Sequence, residues 1–495
     1  MSVAPLASPA TLRPPRALLK VALLTAAALV VHGYHVGVED QDVYLAAIKK
    51  SLDPALFPFN STFFAEQMKA ALFVPAVAAT ARVLHSVEWA LLLWQLLSLF
   101  GILMGCRKLA EWCFPVERER WAAVLPVAVL FTLPLAGTAL LLVDPYLNPR
   151  LPATAGILLA LAAALDRRWL RAALWIVFAA AMHPLMAIFG LSLTVFCCWP
   201  QGVFPFRTPA ALALFMLPLR LLHTPGDAWK EAVRARTYCY PAKWEWYEWL
   251  GLVAPLLLVW WYARLAERGG LPRVALLARR LLFFGLFQCA VALLMTLPAA
   301  TEQLTAFQPM RWLHIFYFLF LMMTGGLAVH FLLRNRSAWW MLLVMVPLAA
   351  GMFVVQRDLY AHGDHIDLPG ARPRNPWAQA FLWVRENTPK SAIFAIPPEY
   401  MRLPAEDAYG FRALAERSLL AENHKDPGEV MVFPDLADEW RRQVHAQRGM
   451  ENFTLDQFAA LRQAYGVSWV VLPATAHPPL ACPYQNSAAR VCRLE

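Results

Sequence analysis

The sequence predicts a mostly α-helical, polytopic membrane bundle followed by a small α/β soluble domain. Of the 495 residues, 59% are hydrophobic and 16% are charged, whereas soluble globular chains have about 45–50% apolar and about 25% charged residues. Apolar segments follow one another to about residue 355, and charges, proline and glycine become frequent only beyond it. The net charge of +10 does not indicate nucleic-acid binding, because Arg and Lys lie mostly between apolar segments, where they fix membrane orientation.

The apolar segments predict about eleven membrane spans. The first, at 22–31, follows Arg13, Arg16 and Lys20 and has no A-x-A cleavage site, so we interpret it as an uncleaved helix that runs outward from the cytoplasm. Several of the others are shorter than the ~20 residues that usually cross a bilayer. They lie at 89–106, 121–143, 151–165, 170–183, 184–199, 208–222, 247–263, 281–298, 311–333 and 338–355.

The basic segments agree with this arrangement, because those at 107–120, 166–171, 264–280 and 334–336 all face the cytoplasm. The agreement requires that 70–86 is an amphipathic surface helix and that the run 170–199 breaks at His183-Pro184, where proline removes a backbone donor. The outward loop at 223–246 disagrees with the rule. Either the topology is wrong there, or its cations serve an anionic partner: Lys230, Arg234, Arg236 and Lys243, with Arg220 just before them.

The chain therefore divides into a membrane domain at 1–355, with a first outer loop at 37–88, and a periplasmic α/β domain at 356–495. Within the tail, the pattern predicts helices at 377–386, 434–447 and 455–465 and buried strands at 391–396 and 468–472. Cys482 and Cys492 both lie in this polar tail. They are candidates for a disulfide bond if the tail is outside the cytoplasm.

Two acidic groups lie on the same predicted outer face. Glu39, Asp40 and Asp42 follow the first helix directly, and Asp144 begins a proline-rich connection that ends at Arg150. Carboxylates so placed can act as a general base for a hydroxyl or hold a divalent cation. A solvated acidic loop and an ordinary polar turn are the alternative interpretations.

Arg311 lies at the outer end of a predicted span, against the orientation rule. Its guanidinium suits a phosphate oxyanion, although snorkelling to the headgroups explains it equally. His314, one turn on, shares that face. His183, at the helix break, is either functional or a packed structural residue. No G-x-S-x-G elbow, P-loop, H-E-x-x-H or dinucleotide fingerprint occurs, which argues against hydrolases, nucleoside triphosphatases and zinc proteases.

Together these features resemble the GT-C superfamily of polytopic membrane glycosyltransferases, and in particular a bacterial branch of it. Glu39-Asp40 stands where that family has its acidic pair, and Arg311 matches a cation that holds the carrier phosphate. Asp144 matches its second acidic site, to which we also assign Asp42. The segment 383–389 and the strand after it are similar to the start of the soluble domain in several members. The signature motif of the oligosaccharyltransferase catalytic subunit is absent from the tail, so the acceptor stays open.

The resemblance implies transfer of a sugar from a polyprenyl-phosphate-linked donor to an acceptor on the outer face of the bacterial inner (cytoplasmic) membrane. Asp40 or Glu39 would be the general base. Arg311 would stabilise the departing phosphate, with Arg150, His314 and the basic loop after Arg220 as helpers. Some members of the family use a divalent metal and others do not, so the cofactor stays open.

Two other function classes remain: a transporter or flippase for a lipid-linked or anionic solute, and a non-catalytic scaffold of the cell envelope. A transport site is expected near the bilayer midplane, between broken helices. The relative positions of Glu39, Asp144 and Arg311 discriminate among the three. A shared outer cavity favours the transferase, a midplane cavity favours transport, and wide separation favours the scaffold.

Overall fold

A computed structural model describes residues 14–198, 226–333 and 336–494. The predicted span at 208–222 and the predicted phosphate-binding residue Arg220 lie outside these ranges. The α-helices of the apolar part are α1 (Pro14–His32), α2 (Gln41–Leu52), α3 (Thr62–Ala65), α4 (Phe73–Leu84), α5 (Val87–Cys113), α6 (Glu117–Val129), α7 (Arg150–Leu165), α8 (Trp169–Met182), α9 (Pro184–Cys198), α10 (Asp227–Arg234), α11 (Trp246–Arg268), α12 (Pro272–Thr296), α13 (Trp312–Ala328), α14 (Ser337–Trp340) and α15 (Val346–Leu359).

Within the described ranges, five helical segments are long and apolar enough to cross a membrane, which supports a membrane protein. They are Val87–Cys113, Trp246–Arg268, Pro272–Thr296, Thr301–Leu333 and Ala338–Leu359. Shorter apolar helices lie at Phe73–Leu84, Arg150–Leu165, Trp169–Met182 and Pro184–Cys198. The predicted count of about eleven spans is not confirmed.

One predicted span is wrong. The segment 121–143 is helical only to Val129, and the rest folds back as a hairpin of β1 (Pro134–Leu135) and β2 (Leu140–Leu141). Gly137 takes a positive φ of 63° in its turn, where a Cβ atom would lie 2.1 Å from the Trp244 ring. The segment is apolar because the hairpin packs against the bundle, with Leu135, Leu140 and Val143 buried.

The predicted break in the bundle is confirmed. The run 170–199 breaks at His183, which is extended (φ −151°, ψ 94°) between α8 and α9. The segment 70–86 contains helix α4, whose buried residues Phe73, Val77 and Ala81 recur every four positions. This segment is thus helical with one buried face, and its position at the membrane surface stays a prediction.

Helix α7 is buried along most of its length. Gly105 lets α5 approach it closely, since a Cβ there would lie 2.6 Å from Leu158 Cβ.

The C-terminal part is a small α/β unit, as predicted. Its helices are α16 (Pro376–Asn387), α17 (Phe411–Ala415), α18 (Asp426–Val432), α19 (Ala437–Gln447) and α20 (Leu455–Tyr465). Its strands are β3 (Ile393–Ala395), β4 (Ser418–Leu419), β5 (Trp469–Pro473), β6 (Ala481–Gln485) and β7 (Ala489–Arg493), in the sheet order β4-β3-β5-β7-β6. The β4, β3 and β5 strands are parallel and the last two pairings antiparallel. A disulfide joins Cys482 to Cys492.

The α/β unit packs against the chain that follows the first helix. Helix α2 contacts α17, and isolated bridges pair Tyr34 with Ile366 and Val38 with Tyr409. A shared apolar cluster also joins Phe63 and Trp229 to Met431 and Trp440. Residues of the first loop and of the tail therefore meet at the end of α1.

Candidate active site

The two predicted acidic sites meet through one arginine. Arg150, the first residue of α7, is 4% exposed. Its Nη1 lies 2.9 Å from Asp40 Oδ2 and its Nη2 lies 2.9 Å from Asp144 Oδ2. Asn148 holds both Asp144 and Arg150 in place. Its side-chain Nδ2 donates to Asp144 Oδ2 at 2.6 Å, and its side-chain Oδ1 accepts from the Arg150 backbone N–H at 3.0 Å. Asp40, Asp144 and Arg150 thus form one ion-pair network, in which Arg150 and Asp144 are buried and Asp40 is partly exposed.

A lysine from the tail completes this network. Lys425 Nζ lies 3.0 Å from Asp40 Oδ1 and also pairs with Glu39 Oε2. His424 Nε2 lies 3.7 Å from that Glu39 oxygen. Glu39 has a positive φ of 50°, a conformation that non-glycine residues adopt mainly at constrained sites. The three carboxylates therefore face two fully charged side chains, Arg150 and Lys425, at close range.

The charges around the acidic pair keep it ionised. Burial alone would raise the pKa of Glu39, but Lys425 and His424 outweigh it and lower that pKa to about 2. In the same way, Lys425 and Arg150 hold the pKa of Asp40 well below its ordinary range. Burial would lower the pKa of Lys425, yet Asp40 and Glu39 raise it above its ordinary value. At neutral pH all three groups carry their full charges.

Arg311 has no such partner. Its Nε is buried without a hydrogen-bond acceptor, and within the described ranges no carboxylate pairs with its guanidinium. The charges of Arg311 and of Asp40 both act on the side chain of Tyr44, on α2. Burial raises the pKa of Tyr44 to about 12, the charge of Asp40 adds to that rise, and the charges of Arg150 and Arg311 oppose it. The charges of Asp40, Arg150 and Arg311 thus all act on one tyrosine hydroxyl.

The two predicted histidines make contacts within the bundle. His314 Nε2 lies 2.9 Å from the Leu142 carbonyl oxygen, to which it donates, and its buried Nδ1 has no partner. His183 Nδ1 accepts weakly from the Met186 N–H at 3.5 Å, at the start of α9. His314 therefore holds the returning strand of the hairpin, and His183 caps a helix.

Asp42 does not join Asp144. It is fully buried, 3.3 Å from Arg412 Nη1, and its other oxygen accepts from the Ala413 N–H at 3.1 Å. Arg412 in turn binds Asp426 through two hydrogen bonds of 2.8 and 2.7 Å. Asp42 thus belongs to a second ion cluster, which joins α2 to α17 and α18.

The described cations of the outward loop also have protein partners. Arg234 binds Glu302 at 2.7 Å, and Lys230 lies 3.6 Å from Asp227. Lys243 donates to the Arg234 carbonyl oxygen at 2.9 Å. Arg236 donates to the carbonyl oxygens of His424 and Lys425 at 3.0 and 3.2 Å, and so anchors the segment that carries Lys425. The described cations of this loop therefore have partners within the protein itself, and the anionic partner expected for them stays a prediction.

No family model matches the sequence, and no curated protein matches it either. Solved structures do match. The archaeal oligosaccharyltransferase AglB from Archaeoglobus fulgidus, in complex with an inhibitory peptide and a dolichol-phosphate, superimposes with a TM-score of 0.52 and 10% identity over 93% of this chain and 70% of that chain. The apo form of the oligosaccharyltransferase from that organism gives 0.51 and 11% over 93% and 69%. The arabinofuranosyltransferase AftD from Mycobacteria gives 0.50 and 14% over 98% and 40%.

The chain has the GT-C fold. The resemblance inferred from the sequence is confirmed at this level. The chain spans only 40% of the length of AftD. Identities of 10–14% carry the architecture and not the chemistry.

One part of the site in this GT-C chain was not predicted from the sequence: the pair His424-Lys425. Arg236, predicted as a helper for the donor phosphate, anchors that pair instead. The sequence signal for the pair is the charged run at 422–426 in the tail. Nothing in that run indicates that Lys425 reaches Asp40, because 385 residues separate the two.

Proposed function

We propose that this protein is a membrane glycosyltransferase that moves a sugar from a polyprenyl-phosphate-linked donor to an acceptor hydroxyl on the outer face of the cytoplasmic membrane. One observation carries the proposal. Asp40 and Asp144 meet through Arg150, while the nearby Arg311 has a buried guanidinium nitrogen without any acceptor. A carboxylate to activate an acceptor and a cation to receive a phosphate are thus present in one region of the GT-C fold.

Arg311 supports the donor half of the reaction. A buried donor without an acceptor is unfavourable, so an anionic ligand at the Nε of this half-buried side chain would complete it. A guanidinium offers a planar fork of donors that fits phosphate oxygens. The A. fulgidus enzyme of this fold was solved with a dolichol-phosphate. A polyprenyl phosphate is therefore the ligand class we assign to Arg311, with Arg150 as the neighbouring cation.

Asp40 supports the acceptor half. In the structure each of its oxygens faces a cation, which makes it a weak base. A donor phosphate would compete for those cations and loosen their hold, so its arrival raises the pKa of Asp40 toward the range in which a general base works. The acceptor proton then passes to Asp40, and the acceptor oxygen bonds to the anomeric carbon. The bond from that carbon to the phosphate oxygen breaks, and Arg311 stabilises the charge that remains on the phosphate.

The position of the acidic groups favours a transferase over a transporter. Glu39, Asp40 and Asp144 all lie outside the five candidate spans, whereas transport sites are expected near the bilayer midplane between broken spanning helices. We assign the chain up to Leu359, where the last candidate span ends, to the membrane domain and the remainder to a periplasmic domain, because the boundary predicted at 355/356 falls inside that span. A disulfide between Cys482 and Cys492 agrees with an oxidising compartment.

The proposal is tested by transfer assays in membranes, with a panel of labelled polyprenyl-phosphate monosaccharides as donors. We expect Asp40→Asn to lower turnover by about 10²–10⁴-fold, the usual contribution of a carboxylate base, with the protein still folded. Asp438→Asn is the matched control, since this tail aspartate is 73% exposed. Unchanged transfer in the double variant Glu39→Gln, Asp40→Asn would overturn the assignment.

A further inference from the structure

Lys425 occupies the bridging position between the two carboxylates of the acidic pair. Its Nζ lies 3.0 Å from Asp40 Oδ1 and contacts Glu39 Oε2, and its side chain is 10% exposed. The other oxygen of Asp40 is bound by Arg150. Both oxygens of Asp40 and one of Glu39 are therefore already engaged by protein cations.

The position of Lys425 is fixed by the surrounding backbone. Its N–H donates to Glu422 Oε1 at 2.5 Å, and its carbonyl oxygen accepts from the Gly428 N–H at 2.9 Å and from Arg236 at 3.2 Å. Glu422 also accepts from the Asp426 N–H at 2.7 Å, next to the buried Arg412 cluster. The ammonium thus reaches the acidic pair from a rigid segment.

A divalent cation does not fit the same position. Mg²⁺ and Ca²⁺ require about six or more oxygen ligands close around the ion, and like charges a few ångströms apart repel strongly where water is scarce. Here an ammonium lies between the two carboxylates, and Asp144 Oδ2 is taken by Arg150 and Asn148. Within the described parts of the chain, no three His, Cys, Asp or Glu residues come together as a metal site.

We propose that Lys425 is the resident cation of the acidic pair, so that the site works without a divalent metal and the tail domain supplies the positive charge. A role for Lys425 in the sugar transfer rests on the proposed function. Lys425, together with Arg311, would supply the positive charge for the donor phosphate, a role that a divalent metal would otherwise serve. The tail is then part of the site and not an accessory module.

Binding of Mn²⁺ alone tests this without any substrate. Purified protein in nanodiscs is titrated with Mn²⁺ and the free ion is followed by electron paramagnetic resonance. We expect wild type and Asp40→Asn to give the same curve, with no site that depends on Asp40. Lys425→Met frees Asp40 Oδ1 and Glu39 Oε2 from the ammonium and gains one weak saturable site, which a further Asp40→Asn change removes. Lys425→Arg keeps the charge and gains none, and retention of the thermal transition shows that each variant is folded.

Two results would overturn the inference: a wild-type Mn²⁺ site that Asp40→Asn abolishes, or a folded Lys425→Met variant that gains no site. The transfer assay separates this from the proposed function. Transfer that chelation by EDTA stops and Mn²⁺ restores would refute the role of Lys425 and leave the transferase assignment standing. If no transfer occurs with any donor, the transferase assignment fails, and the Mn²⁺ titration still decides whether Lys425 occupies the position of a metal.

Discussion

Replacing Arg412 with Met is expected to loosen the contact between the first outer loop and the tail. Arg412 is 1% exposed, with Asp426 held through bonds of 2.8 and 2.7 Å and Asp42 at 3.3 Å. Methionine fills much of the same volume but leaves two buried carboxylates without a cation. Removing one partner of a buried ion pair typically costs about 3–5 kcal/mol. This equals about two to four orders of magnitude in a local opening equilibrium.

Hydrogen exchange followed by mass spectrometry measures that opening directly. We expect amides in α17 and α18 to exchange about 10²–10⁴-fold faster in Arg412→Met, and the further change Asp426→Asn to recover part of the protection. The matched control is Arg442→Met on α19, whose side chain is 64% exposed beside Glu439. Exposed pairs contribute little, so its exchange should match wild type. Rates within a few-fold of wild type in Arg412→Met would refute the role of the buried cluster.

Three further predictions concern pH, ligand binding and the disulfide. Burial raises the pKa of Glu429 to about 8. The contribution of this carboxyl to folding stability is therefore complete below its unfolded pKa near 4.5 and is lost as pH rises through 8. Glu429→Gln should gain thermal stability relative to wild type between pH 5 and pH 8, and parallel melting temperatures over that range would contradict this. Arg311→Gln should weaken binding of undecaprenyl phosphate in nanodiscs by about 10–100-fold, since hydrogen bonds to charged groups contribute about 1.5–3 kcal/mol, and equal Kd values would exclude Arg311 from the phosphate site. Replacing both Cys482 and Cys492 with Ser should lower the unfolding free energy of the tail by about 2–3 kcal/mol, because it reopens a loop with a sequence separation of 10 residues. Chemical unfolding measures this loss, and an unchanged midpoint would show that the bond does not constrain the unfolded chain.

Local signals in the sequence were sufficient for several helices. The predicted helix at 455–465 has the observed bounds of α20, because Thr454 and Gln457 form a capping box and Gly466 ends it in the left-handed region. The break at His183-Pro184 follows from proline chemistry in the same way. By contrast, the apolar residues of 130–143 line a packed hairpin, and hydropathy alone does not distinguish burial in protein from burial in lipid.

The residues of the site likewise fall into those that local sequence places together and those that only the fold brings together. Asp144 and Arg150 lie in one short connection, so local sequence already placed them together. Asp40 and Asp42 are only two residues apart, yet they join different clusters. Asp40 precedes α2 as its N-cap and Asp42 lies in its first turn, and residues two positions apart there do not face each other. Lys425 comes from a segment 385 residues away, and only the folding of the tail onto the first loop brings it to Asp40. Single-sequence patterns contain no signal for such a contact.

A cryo-EM structure with undecaprenyl phosphate bound would examine most directly whether Arg311 and the acidic pair bind the donor together. Our account predicts phosphate density within hydrogen-bonding distance of the Arg311 guanidinium, on the side that faces Asp40. Phosphate density elsewhere on the protein, with Arg311 still lacking a ligand, would contradict it.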